Sequence, residues 1–115
     1  MLQNKSIDFA SRIIKLCQFL QNEKKEFVLS KQILRSGTSI GANIAESKYA
    51  ESRSDFKHKL MISLKEANET IYWLILLKKG LYIDEKQYIS LYNDGNEIKK
   101  ILIKSTKTLK STPNS

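Results

Sequence analysis

The functional groups of this chain concentrate in two places, a polar stripe in the first half and a run of lysines at the end. In and around the segment RSGTSIGANIAES, residues 35–47, Gln32, Arg35, Ser39, Asn43 and Glu46 recur at three- and four-residue spacing. On a helix these positions share one side, with Arg35 next to Ser39 and Ser39 next to Asn43 as i,i+4 neighbours. A guanidinium fork, an amide and a carboxylate can hold a ligand together, or they can satisfy one another and cap a neighbouring helix. No histidine, cysteine or second carboxylate joins the stripe to make a reactive set, which favours the structural role.

The lysines carry a different chemistry. From Ile98 to the end there are five lysines and no acid. Lys100, Lys104 and Lys107 fall on one helix side, where like charges three and four residues apart repel. A second basic group, Lys48, Arg53 and Lys57, surrounds the link between the second and third elements. Twenty Lys plus Arg against twelve Asp plus Glu give a net charge of +8. Such a surplus favours RNA or DNA as partner, although a solvated face that keeps the protein soluble accounts for the same residues. Neither group has aromatic residues interleaved as stacking platforms, so recognition by charge and shape is expected rather than base reading.

Catalysis finds little support. His58 is the only histidine and shares a face with Lys65 and Glu69 rather than with a nucleophile. Cys17 falls in an apolar stripe, where a thiol is usually inert. Metal sites need three or four converging ligands, a di-iron bundle needs Glu-x-x-His, and phosphate cradles need glycine-rich loops; none is present. The chain is therefore expected to be non-enzymatic, without cofactor or metal. A lone cysteine, and a start Met1, Leu2, Gln3, Asn4, Lys5 unlike a secretory signal, lead to the expectation of a cytoplasmic protein. The longest apolar run, Ile71 to Leu77, is far short of the roughly 20 residues that span a bilayer.

The elements that must position these groups are helices. One proline and four glycines in 115 residues leave little room for turn-rich β structure, and the length suits one domain. Apolar spacing and capping signals predict helices over about 4–22, 26–48, 53–79 and 84–110, with 111–115 a disordered tail. In the first, Ile7, Ala10, Ile14 and Cys17 form the stripe, widened by Ile13 and Leu20. Ser52 with Asp55, and Asp84 with Gln87, read as capping boxes, and Gly80 as a C-cap. The turn signal Asn93-Asp94-Gly95 places a kink or break in the last helix. Short polar links make the whole an antiparallel, up-and-down four-helix bundle.

Two features point to self-association. Around Ile71 to Leu77 the third helix is apolar nearly all round, and Trp73, Leu76 and Leu77 point away from its main stripe of Phe56, Leu60, Leu64, Ala67, Ile71, Leu74 and Ile75. Gly37, Gly41 and Ala45 repeat every four residues and admit a close helix backbone. Both sets are expected at a subunit interface.

The runs QILRSGTSIGANIAES and SRSDFKHKLMISLKEANETIYWL resemble a family of four-helix-bundle proteins, whose genes were first noticed as intervening sequences inside bacterial 23S ribosomal RNA genes. The likeness rests on Gln32, Arg35, Ser36, Ser39, Ile40, Asn43, Ile44, Ala45, Glu46, Ser54, Asp55, Phe56, Glu69 and Leu74. Ser47 stands where the family often has glycine, and Gly41 where many members have proline. The resemblance implies a ring-like homopentamer. Related proteins include the accessory factor of diversity-generating retroelements, a basic pentamer that binds nucleic acid and a reverse transcriptase. The expected function is thus a non-enzymatic oligomer that binds RNA or DNA as a ribonucleoprotein accessory. A protein-interaction scaffold without nucleic-acid binding is the alternative.

Overall fold

The computed structural model describes residues 1–110; the expected tail at 111–115 lies outside them. Four helices and no strand are found among the described residues: α1 (Leu2–Asn22), α2 (Leu29–Ser47), α3 (Arg53–Lys79) and α4 (Glu85–Lys110). Each helix packs against its chain neighbour, and α4 closes back on α1. The result is a bundle 50 Å long and 22 by 21 Å across. Its axis is lined by Phe9, Ile13 and Leu20 of α1, Ile33 and Ile40 of α2, Leu74 and Leu77 of α3, and Ile98 and Leu102 of α4, all fully buried.

The stripe of α1 lies off the expected line. Phe9, Ile13, Leu16, Cys17 and Leu20 face the core, whereas Ile7 and Ile14 are 56% and 44% exposed. Three isoleucines at positions 7, 13 and 14 allow two overlapping apolar faces, and the bulky Phe9 decides which one turns inward.

Helix α2 begins at Leu29 rather than near Glu26. The N–H of Glu26 bonds the Leu20 carbonyl at 2.9 Å, which finishes α1, and Lys25 takes a left-handed φ of 54° to turn the chain. The Glu26 carboxylate then folds forward to accept the N–H groups of Val28, Leu29 and Ser30 at 3.2, 3.0 and 2.7 Å. A helix start leaves such N–H groups without intrahelical partners, and this one side chain satisfies three of them.

The N-termini of α3 and α4 use the expected side chains. Asp55 N–H donates to Ser52 Oγ; Asp84 and Gln87 exchange reciprocal bonds of 2.7 and 2.9 Å. Gly80 ends α3 with a right-handed φ of −78°, and the left-handed residue is Leu81, φ 65°.

No break occurs at Asn93-Asp94-Gly95, where α4 is continuous. A β-carbon on Gly95 would meet the Phe9 ring at 3.3 Å, so the glycine lets α4 approach α1. Arg12 of α1 holds the same stretch, bonding Asp94 Oδ2 at 2.6 Å and Ser90 Oγ at 2.8 Å. Tertiary packing overrides a local turn signal worth about 1 kcal/mol.

Candidate functional site

The polar stripe of α2 lies in the crevice against α3. Arg35 bonds Glu66 Oε2 at 3.1 Å and also pairs with Glu69. Glu69 in turn accepts the Trp73 indole N–H at 2.9 Å. Ser39 donates to the Arg35 carbonyl and Asn43 to the Ser39 carbonyl, while Glu46 pairs with Lys59. Gln32 is exposed. The side chains are thus directed to backbone carbonyls and to α3. Beneath them, Thr70 Oγ1 lies 2.8 Å from Ser36 Oγ, and Ser63 donates to the Ile40 carbonyl at 2.8 Å, both fully buried.

The residues expected at a subunit interface divide. Gly37 and Gly41 are packed inside the subunit: an added β-carbon would lie 2.9 Å from Ile13 Cγ2 or from Ser6 Oγ. Gly37 is closed off by Ile13 of α1, whereas Gly41, packed on Ser6, also borders the groove between α1 and α2. Leu77 is also a correction, being fully buried in the core. Trp73 and Leu76 are half-buried and Ala45 is exposed. A further exposed apolar surface is a groove of about 600 Å³ between α1 and α2 that includes Ile7, Ala10, Ile14, Ala42 and Ala45. The periodicity of α1 contained this signal, hidden by assigning Ile7 and Ile14 to the core.

Cys17 is buried and its thiol donates to the Ser30 carbonyl. Burial, aided by the Glu26 charge, pushes the thiol up to about 11. The folded state therefore holds the proton more tightly than the unfolded chain, so this contribution is complete below about pH 9 and is lost as pH rises through 11. Denaturation midpoints measured from pH 8 to 11 are expected to fall more steeply for the wild type than for Cys17→Ala. His58 is exposed, and among the described residues no three His, Cys, Asp or Glu side chains gather as metal ligands. No helix among them is long and apolar enough to cross a membrane.

The two basic groups meet at one end of the bundle. Lys48, just past α2, and Lys104 of α4 line one pocket of about 660 Å³, whose apolar wall includes Leu2, Ile44, Phe56 and Leu60. Lys100 and Lys107 continue along α4, exposed, and Arg53 and Lys57 stand at the start of α3, the second half-buried. Among the described residues Lys48, Lys57, Lys100, Lys104 and Lys107 have no carboxylate partner, whereas Lys5, Arg12, Arg35, Lys59 and Lys78 each have one. Phe56 lines the same pocket as Lys48 and Lys104, an aromatic neighbour that linear spacing on separate helices did not reveal.

The model of the 23S rRNA-intervening sequence protein family matches residues 1–104. The chain belongs to this family. A crystal structure of a protein of unknown function from the S23 ribosomal protein family of Bacteroides thetaiotaomicron VPI-5482 is 60% identical, with a TM-score of 0.92. The match covers 93% of this chain and 99% of that one. No curated protein matches the chain. In this 23S rRNA-intervening sequence protein, the two departures from the usual pattern are accommodated locally. Ser47 is buried with its hydroxyl on the Ile44 carbonyl at 2.6 Å, and Gly41 accepts the Gln3 side-chain amide on its carbonyl at 3.2 Å.

Proposed function

We propose that this family member is a non-enzymatic, self-associating antiparallel bundle that binds RNA or DNA at its basic end, as an accessory of a ribonucleoprotein in the cytoplasm. The observation that carries the reading is the gathering of Lys48 and Lys104 on one pocket, with further lysines beside them that lack carboxylate partners among the described residues. Clustered cations are neutralised by phosphates, with release of condensed counterions. Alternating helix directions bring the end of α2, the start of α3 and the end of α4 together; the pairs Lys5–Glu97 and Arg12–Asp94 support that order.

The binding test is a double charge reversal. Lys48→Glu with Lys104→Glu is expected to weaken RNA binding at low salt by at least about tenfold, measured by fluorescence anisotropy. Lys79→Glu with Lys86→Glu, at the end of α3 and the start of α4, is the charge-matched control and is expected to change little. Equal losses in the two variants would count against a localised basic site.

Self-association is supported by the groove between α1 and α2, because exposed Ile7 and Ile14 beside Ala42 and Ala45 offer an apolar face with room for side chains of a second copy; the number five is what the family resemblance implies. Light scattering is expected to give the mass of a pentamer, and Ile7→Glu with Ile14→Glu to give monomers. A wild-type monomer at micromolar concentration would remove this part of the proposal.

A further inference from the structure

We propose that the pocket between Lys48 and Lys104 receives a single unstacked nucleobase, so that the preferred partner is single-stranded nucleic acid and not a duplex. This rests on the nucleic-acid reading above and names the form of nucleic acid it takes. Three independent features of the pocket match the three parts of a nucleotide.

The rim carries two ammonium groups without carboxylate partners among the described residues, suited to the phosphates on either side of one nucleotide. The wall is apolar and includes the Phe56 ring, the one aromatic side chain that lines it among the described residues. Bases of any identity stack on such a ring. Gln3 also lines the pocket, and its amide nitrogen is engaged by the Gly41 carbonyl and Ser6 Oγ at 3.2 Å each. That leaves its Oε1 buried, without a hydrogen-bond partner among the described residues. A buried acceptor of this kind is costly to leave unpaired, and a turn of the Gln3 side chain toward the pocket would let it take the N–H that every nucleobase offers on its pairing edge once it leaves the helix. A carboxylate or a bare phosphate ester would bring no such donor. The volume, about 660 Å³, falls in the range of about 300–1,000 Å³ usual for small-ligand pockets and leaves space for base and sugar.

The test compares two single strands of equal length, one of uridines and one in which every base is replaced by an abasic linker, both titrated with the full chain at low salt. The base-bearing strand is expected to bind at least about fivefold tighter. Phe56→Leu, which keeps an apolar side chain, is expected to abolish that difference while leaving the affinity for the abasic strand unchanged. Equal affinities of the wild type for both strands would overturn the pocket assignment and leave phosphate binding intact. A difference that persists in Phe56→Leu, together with a changed mass in light scattering, would show that Phe56 is covered by a second copy, and would also overturn it. If neither strand binds at low salt, the nucleic-acid reading falls and the pocket assignment with it.

Discussion

Gly37→Val is expected to destabilise the fold by about 3 kcal/mol, although valine is the better helix former. The β-carbon alone would sit 2.9 and 3.0 Å from Ile13 Cγ2 and Cγ1. Ile13 is fully buried and branched at its β-carbon, so it cannot swing aside as the tip of a long side chain would. The gain in helix propensity, about 0.4 kcal/mol, is smaller than the overpacking penalty of about 1–3 kcal/mol or more. Chemical denaturation of Gly37→Val, Ile13→Ala and the double variant provides the check. The double variant is expected to be more stable than the sum of the single losses predicts, with coupling of about 1 kcal/mol or more. Strict additivity would mean that the two residues do not meet.

Glu26→Ala is expected to lower stability by about 3 kcal/mol, an effect larger than loss of an ordinary helix cap at about 1 kcal/mol. The residue is only 8% exposed and accepts three backbone N–H groups. Without it these donors open the first turn of α2 at the point where Ser30 is buried and bonded to the Glu26 carbonyl. Glu26→Gln keeps the acceptor oxygen but not the charge, and is expected to fall between the two. Amide hydrogen exchange in the first turn of α2 should accelerate in the alanine variant more than the global loss explains. Uniform acceleration would place the effect elsewhere.

Helix identity was legible from the sequence because apolar spacing and the Ser52 and Asp84 caps act locally. What escaped was decided at a distance. The face of α1 depended on Phe9 filling the space beside Gly95, and no spacing rule ranks Phe9 above Ile7 and Ile14. The start of α2 depended on a carboxylate reaching forward from a turn at Lys25, where the residue type alone gives no signal for a left-handed φ. Small residues at 37 and 41 correctly indicated close packing, but one helix cannot tell a neighbour in its own chain from one in another. At the basic end, each lysine group was readable alone. Their meeting on one pocket, which Phe56 also lines, is a product of how the four helices are arranged.

The central claim is that unpaired lysines at one end of the bundle neutralise phosphates, and the salt dependence of RNA affinity tests it most directly. Plotted as log K against log salt concentration, binding of a single-stranded RNA is predicted to give a slope between about −2 and −4, reduced in magnitude by about 1.4 in the Lys48→Glu, Lys104→Glu variant. No affinity at low salt, or a slope near zero, would contradict the account.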